Sequence, residues 1–334
     1  LHRLANATVR EIIALLNRSD ARLIERLARD GVSGLSRARQ EELLADIRVI
    51  VQGINADATG ALRADLDALA AYEAEYQGTM LARTVPIKLE WVAPSAYQII
   101  AAANSRPFQG RLLKEWFTDL GDQAFARLRN VIRAGFVEGR TIDQMVRDVR
   151  GTRAQGYKDG VMEINRRAAE VTVRTAVAHT ANAARSDMYQ ANSRFIKAVQ
   201  WVSTLDSRTS LYCMAHDGKT YPTDSGPRPP AHPNCRSVTT PVLKSLAELG
   251  IKGRDLPPGT RASMDGQVAA DMDYDTWLRK KPQAFQDKAL GQSKAKLFRA
   301  GLKLDRFVSR AGDELTLDEL KQQDAGVWAK AFSD

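Results

Sequence analysis

A helical periodicity that runs through most of the first 70 residues constrains the fold more than any other feature of the chain. Two series of apolar residues recur at steps of three, four and seven: Ala5, Val9, Ile12, Leu16, Leu23 and Leu27, then Leu43, Ile47, Ile50, Ile54, Ala58, Leu62, Leu66 and Leu69. This spacing places an apolar stripe along an α-helix. A loop at 31–34 separates the series, and Ser36 is a candidate N-cap for the second. We predict a long helical hairpin, or an arm that packs on another subunit.

Helix start and stop signals continue through the middle of the chain. Thr141 and Gln144 form a capping box, and Gly151 supplies the stop, so a short helix is expected over 141–150. A longer Ala-rich helix is expected over 161–192. Between these helical stretches and the N-terminal hairpin, the alternating residues 87–92 suggest a short strand or extended crossover.

The only other predicted β-structure follows the Ala-rich helix. Residues 197–203 resemble a strand, Asp217-Gly218 a hairpin turn, and residues 236–242 a strand that pairs back. After this region the chain is expected to be helical again, with Pro282, Gly291 and Gly301 as breaks or caps.

Two further signals support a folded C-terminal tail. Thr316 and Glu319 make a second capping box. Six apolar residues at helical spacing predict a hydrophobic cluster: Trp277, Phe285, Leu290, Leu297, Phe298 and Phe307.

The fold class that follows is α+β and predominantly α. Four segments are expected: a helical arm over 1–84, a helical region over 85–192, a small loop-rich α+β module over 193–245, and a helical C-terminal tail over 246–334. We call residues 193–245 the Cys/His module, because they hold both cysteines and two of the four histidines.

Charge is distributed unevenly along the chain. Residues 1–80 carry 10 Arg, no Lys and 12 Asp or Glu, a balance of −2, whereas the whole chain carries +9. The basic surplus after residue 80 favours salt-sensitive contact with phosphate backbones or acidic protein surfaces. No apolar run approaches the ~18 residues of a membrane span, and no signal peptide is visible at the first residues. Two cysteines indicate synthesis in a reducing cytoplasm.

The Cys/His module contains two pairs of candidate metal ligands. Cys213-x-x-His216 and His232-x-x-Cys235 are separated by 15 residues, a spacing that suits a tetrahedral structural zinc site. A disulfide between Cys213 and Cys235, or two neighbouring thiols without a bond, are the alternatives. A nucleophilic Cys213 activated by His216 would need further groups. No oxyanion-hole loop, third orienting residue or nucleotide cradle accompanies them, so the sequence favours a protein that is not an enzyme.

Charged residues around the module have two interpretations. Asp206, Arg208 and Arg236 are able to form a charged contact that pins a turn against the returning strand. The favoured interpretation is an ordinary Asp-Ser turn with arginines on the surface. His179, in the middle of the Ala-rich helix, is predicted to be structural.

The same stretch resembles the signature of the phage head morphogenesis proteins, also called Mu F-like minor head proteins. The resemblance lies in the run from Trp201 to Thr209, in Cys213, in Asp217-Gly218-Lys219, and in the run from Pro229 to Arg236. Weaker matches before and after this stretch extend it to about residues 105–320. Ser210 and Ser237 stand where family members often have cysteines, and Ala176 stands where Glu follows Arg174-Thr175.

This resemblance implies a minor head protein of a tailed bacteriophage. Such a protein would lie inside the capsid near the portal vertex after assembly in the host cytoplasm, and would act in head morphogenesis and DNA packaging or ejection. Its expected partners are the portal protein, a major capsid or scaffold protein, and packaged double-stranded DNA bound without sequence preference, with no membrane in the virion. The metal ligands expected are Cys213, His216, His232 and Cys235, with zinc as a structural ion.

Two other functions compete with this one. Mu F-like modules also occur fused to toxins, so a phage-delivered effector such as a nuclease or an ADP-ribosyltransferase is one alternative. The short tail after the module leaves little room for a toxin domain. The other alternative is a non-viral DNA-binding assembly factor, for which DNA affinity would fall steeply with salt and no portal would be bound.

Overall fold

The computed structural model describes residues 1–29, 37–85, 89–107, 110–253, 257 and 259–333. Within these residues the chain is mostly helical, with a few short antiparallel strands, which confirms the predicted α+β, predominantly α class. The chain forms two compact units. The helical unit comprises residues 1–72 and 96–181, and the mixed unit comprises residues 73–95 and 182–334.

Among the described residues, the helical unit has six α-helices, two of which continue into the residues of the mixed unit. They are α1 (His2–Arg29), α2 (Arg37–Thr84), α3 (Ala96–Ser105), α4 (Leu113–Val137), α5 (Ile142–Arg150) and α6 (Val161–Ala191). The predicted Ala-rich helix over 161–192 and the short helix over 141–150 are therefore confirmed.

The N-terminal helices form the predicted hairpin. Thr8 donates to Asp65 and Arg26 donates to Asp46, so α1 and α2 run antiparallel. The apolar stripes are buried inside the chain's own core rather than left for another subunit, because Ile12, Leu62 and their neighbours pack against α4 and α6. The predicted loop at 31–34 and the candidate N-cap Ser36 lie outside the described residues.

The short helix α5 shows how local signals and packing act together. Thr141 accepts a hydrogen bond from the backbone of Gln144, whose side chain accepts from the backbone N–H of Thr141, and Gly151 ends the helix at φ +93°. One face then buries Met145 and Val149 completely. This agreement between caps and apolar spacing explains why a nine-residue helix was predictable.

The mixed unit combines short strands with short helices. In chain order they are β1 (Ile196–Val202), α7 (Leu211–His216), β2 (Thr220–Tyr221), β3 (Val238–Leu243), β4 (Thr260–Ser263), β5 (Gly266–Ala269), α8 (Tyr274–Arg279), α9 (Gln283–Leu290), α10 (Gln292–Arg299), α11 (Leu317–Gln323) and α12 (Ala325–Phe332). A 3₁₀ turn at Leu304–Phe307 lies between α10 and α11.

A three-stranded antiparallel sheet has β1 at its centre. Its order is β2-β1-β3, with Trp201 opposite Thr239 and Val199 opposite Tyr221. The predicted strands over 197–203 and 236–242 are therefore confirmed as β1 and β3. The predicted hairpin turn at Asp217-Gly218 is wrong in detail, because the helix α7 is inserted between β1 and β2, and Asp217 caps the end of that helix.

The C-terminal helices enclose the predicted hydrophobic cluster. Trp277, Leu297, Phe298 and Phe307 are almost fully buried in one core, against which Phe285 also packs. Pro282 precedes α9, Gly291 separates α9 from α10, and the Thr316–Glu319 capping box begins α11, all as predicted.

The predicted strand or extended crossover over 87–92 lies partly outside the described residues, and its described part, 89–92, is neither helix nor strand. Among the described residues, no helix combines the length and apolarity required to cross a bilayer.

Candidate functional site

The Cys/His module is organised around the buried end of β1. Trp201 is fully buried, and its indole N–H donates to the hydroxyl of Ser203 at 2.9 Å. Ser203 in turn donates to the carbonyl of Cys213 at 2.8 Å and lies 3.1 Å from the hydroxyl of Ser237. This chain of hydrogen bonds ties β1 to α7 and to the start of the segment that leads into β3.

The turn after β1 is held by a two-pronged ion pair. Arg236 donates to both carboxylate oxygens of Asp206, at 2.6 and 2.8 Å, and the backbone N–H of Arg208 donates to the same side chain at 2.9 Å. Burial alone would raise the pKa of Asp206, but these hydrogen bonds outweigh it and lower that pKa. The favoured interpretation of an ordinary turn with surface arginines was therefore incomplete: the alternative contact, between Asp206 and Arg236, is present.

A second ion pair lies deeper in the same unit. Both guanidinium ends of Arg261, on β4, donate to Asp217 at 2.9 Å, and the backbone N–H of Ser203 donates to Asp217 at 2.6 Å. The Asp217 side chain is fully buried, and burial raises its pKa although Arg261 opposes the shift. Sequence reasoning missed Arg261, because no local pattern relates it to a partner 44 positions away.

Three of the four predicted ligands come together. Donor atoms of Cys213, His232 and Cys235 all lie within 4.8 Å of one another. The two sulfur atoms are 3.6 Å apart and unbonded, and Nε2 of His232 lies 3.2 Å from Sγ of Cys213. Of the three alternatives weighed from sequence, the disulfide is absent, and the neighbouring thiols form a cluster able to bind a metal.

The fourth predicted ligand, His216, lies outside this cluster. Its Nδ1–H donates to the carbonyl of Tyr212 at 2.8 Å, and its ring stacks on that of Tyr212 with centroids 4.1 Å apart. Trp201 and Tyr221 flank the same ring. The ring of His216 therefore belongs to an aromatic stack, which the spacing Cys-x-x-His did not reveal.

Ser210 lies beside the cluster, at a position where members of the family that the sequence resembles often have a cysteine. Its hydroxyl accepts from the backbone N–H of Cys213 as the N-cap of α7, and lies 2.8 Å from Nε2 of His232. With only six residues, α7 is too short to show an apolar periodicity. The available signal was the N-cap preference of serine itself.

The protonation state of the cluster follows from its hydrogen bonds. Because a carbonyl oxygen only accepts, the 2.9 Å contact between Nδ1 of His232 and the carbonyl of Pro233 places a proton on Nδ1 and turns Nε2 toward the sulfurs. The hydrogen bond from Cys213 lowers the pKa of Cys235 despite burial, and His232 lowers it further. The same bond and burial raise the pKa of Cys213.

The pKa of His232 shifts in the opposite direction to the pKa of Cys235. Its hydrogen bond with Cys235 raises the pKa of His232, against the effect of burial. The cluster therefore stabilises a single thiolate beside an imidazole. A metal bound here would displace the remaining thiol proton, because cysteine binds metals as the thiolate and histidine as the neutral imidazole.

The burial of both thiols argues against a catalytic role for either cysteine. Cys213 is 2% exposed and Cys235 is 3% exposed, so neither sulfur presents a surface to a substrate. The other histidine considered from sequence, His179, is buried on α6 and contacts the carbonyl of Ala103. The arrangement defines a class of protein module: a small α+β unit held together by buried polar and thiol contacts.

Part of the chain, including most of the Cys/His module, is similar to a known protein family. Residues 126–240, about a third of the chain, match the family model described as Phage Mu protein F like protein. The matched segment contains α5, α6 and the module as far as β3. The match confirms the family resemblance for this segment. The match supports a relationship to phage head morphogenesis proteins.

Other comparisons add nothing to the family match. No curated protein and no solved structure matches the chain significantly.

Proposed function

We propose that the protein is a minor head protein of a tailed bacteriophage that associates with the portal inside the capsid and acts in head assembly and in DNA packaging or delivery. The observation that carries the proposal is the match of residues 126–240 to the Mu F-like family. The buried cysteines support a structural role, because they hold parts of the module together and face no substrate.

The two halves of the charge distribution suit two kinds of partner. The first 80 residues are almost neutral, whereas the remainder is basic. A basic surface favours packed DNA through counterion release, which needs no sequence preference. The portal, and a scaffold or major capsid protein, are the protein partners that head assembly requires.

The proposal is tested by determining whether the protein is part of the virion and where in the virion it lies. We expect it to sediment with portal rings when both are co-expressed, and to be present in purified virions yet resistant to protease until the heads are opened. The major capsid protein, which remains accessible from outside, serves as the control. Absence from purified virions together with a lack of association with portal rings would overturn the proposal.

We further propose that Cys213, His232 and Cys235 hold a structural zinc ion. Two thiolates at about 2.3 Å from a tetrahedral zinc would be about 3.8 Å apart, close to the 3.6 Å between the sulfurs. The orientation of Nε2 toward Cys213 also fits a ligand. When bound, the metal supplies a cross-link between α7 and the loop before β3, and Ser210 lies beside it.

Zinc content distinguishes this three-residue site from the four-residue site predicted from sequence, which also included His216. Protein purified without chelator is expected to hold about one zinc per chain by elemental mass spectrometry. His232→Ala should remove it, whereas His216→Ala, which replaces a histidine outside the cluster, should retain it. Equal zinc content in both variants, or none in the unmodified protein, would contradict the assignment.

A further inference from the structure

The segment that joins α5 to α6 carries several positively charged side chains. We call residues 150–160 the basic loop. Arg150, Arg153 and Lys158 lie on it, and Arg147 lies on the last turn of α5 just before it; all four side chains are exposed. Within the described residues none of the four pairs with a carboxylate. Arg147 donates only to the backbone carbonyl of Asp143, and the nearby Asp148 pairs with Arg140.

Hydrogen bonds within the basic loop fix its backbone conformation. Asp159 accepts from the backbone N–H of Thr152 at 2.8 Å and from its hydroxyl at 2.7 Å, and these bonds lower the pKa of Asp159. The backbone N–H of Tyr157 donates back to the carbonyl of Thr152 at 2.8 Å. The one acidic side chain on the loop is therefore engaged in holding it closed.

The two ends of the loop touch. A Cβ atom on Gly160 would lie 2.3 Å from the carbonyl carbon of Arg150 and from the nitrogen of Gly151, so this approach requires glycine. Because the ends meet, the cations between them emerge from a small area rather than along an extended strand. The guanidinium of Arg150 also lies over the ring of Tyr157, 4.7 Å from its centroid, which orders one of the four charges.

The composition of the basic loop favours a phosphate-bearing partner over a protein partner. Among the described residues, no large apolar side chain is exposed between Arg147 and Gly160; the exposed ones that flank this stretch are Val137 and Ile164. A protein partner normally anchors on buried aromatic or aliphatic side chains. Phosphate, by contrast, is bound by guanidinium and ammonium groups that small polar residues leave accessible.

We propose that the basic loop docks on the phosphodiester backbone of double-stranded DNA without reading its sequence. The proposal rests on the DNA contact of the proposed function and gives that contact a location, within the segment that matches the Mu F-like family. Arg153 and Lys158 contact phosphates directly, and the contacts between Thr152 and Asp159 present them in a fixed arrangement.

The experiment measures binding of the full chain to a fluorescein-labelled 20-base-pair duplex by anisotropy over a range of salt concentrations. The double variant Arg153→Gln with Lys158→Gln removes one arginine and one lysine whose side chains form no ion pair within the described part of the chain. We expect its slope of log affinity against log salt to fall by about two, and its affinity at 0.1 M salt to fall by roughly tenfold or more.

A matched variant controls for overall charge. Arg63→Gln with Lys114→Gln removes the same two residue types from exposed positions on α2 and α4, and should leave the slope nearly unchanged. Equal effects of the two double variants would overturn the loop assignment while leaving DNA binding, and the proposed function, intact. Thermal unfolding of each variant checks that the fold is retained.

Two further outcomes are decisive. If the unmodified chain does not bind the duplex at any salt concentration, the loop proposal fails, while association with portal rings still tests the head-protein proposal separately. If labelled polyglutamate binds instead, and Arg153→Gln with Lys158→Gln abolishes that binding, the loop serves an acidic protein and the DNA assignment is wrong.

Discussion

The helical unit and the Cys/His module bury very different side chains at their centres. The helical unit places long apolar stripes against one another, with Ile47, Ile132 and Val149 fully buried. The module has a sheet of three short strands, and its centre holds Trp201, two thiols and the hydroxyls of Ser203 and Ser237.

This difference reflects the area that each region is able to bury. Helices of 25 to 48 residues present continuous apolar faces, and burial of such faces is a sufficient driving force. A few short strands with long loops supply much less apolar area. Specific polar contacts, and a metal where one is bound, then hold the loops in place. The comparison predicts different responses to mutation.

The largest effect is expected from breaking the buried ion pair of the mixed unit. Arg261→Met leaves the buried carboxylate of Asp217 without its partner, which should lower the free energy of unfolding by about 3–5 kcal/mol at pH 7. The loss should shrink in acid, because protonation of Asp217 removes the unpaired charge. Urea unfolding at pH 7 and pH 4 measures both.

Arg310→Met provides the control for that variant, since Arg310 is exposed in the same unit. It should change stability very little. If the two variants lose the same amount, the ion pair does not hold the module, and the contrast with the helical unit disappears.

The next effect concerns the apolar core of the helical unit. Ile132→Ala removes a fully buried side chain on α4 and should cost about 3 kcal/mol through lost burial and the cavity left behind. Val137→Ala on the same helix is the matched control, because Val137 is 88% exposed. Urea denaturation compares them, and similar losses would show that apolar burial is not the main support of this unit.

Helix caps are expected to contribute equally in both units. Thr141→Ala and Thr316→Ala each remove the acceptor of a capping box, so each should cost about 1 kcal/mol. Serine at either position retains the cap and should restore most of the stability, as thermal unfolding will show. A large difference between the two sites would mean that packing around a cap, rather than the cap itself, sets its contribution.

The smallest effect is expected at the partly exposed pair of Asp206 and Arg236. The lowered pKa of Asp206 means that its stabilising charge is present above the pKa of the unfolded chain, and is lost as pH falls through the folded value. With solvent screening the contribution is at most about 1 kcal/mol. Arg236→Gln should therefore reduce stability at pH 7, and this effect should disappear in acid-unfolding experiments as the pH falls through the lowered pKa of Asp206. A difference that persists unchanged in acid would rule out the ion pair as its source.

Local signals predicted much of this fold because they act over a few residues. The apolar steps in α1 and α2 and the capping boxes at Thr141 and Thr316 each need only neighbours within one or two turns. The strand around Trp201 and its return strand were predictable for the same reason. The helix α7 was missed because six residues between a turn and a loop carry too little periodicity.

The candidate site was predictable only in part. Spacing identified Cys213, His232 and Cys235 as possible ligands, and these three do converge. The same spacing pointed to His216, which instead stacks on Tyr212 because the end of α7 turns its ring away from the sulfurs. Spacing along the chain limits which side chains are able to meet, but it does not specify the direction in which each one points.

The sequence by itself determined the helical hairpin, the position of the small sheet and the resemblance to Mu F-like proteins, since periodicity, caps and motifs are local properties. Only the tertiary structure decided which polar side chains meet. The pairs Asp217–Arg261 and Asp206–Arg236 join residues 44 and 30 positions apart. Such contacts depend on how loops close in three dimensions, and burial then sets their strength by removing water from around the charges.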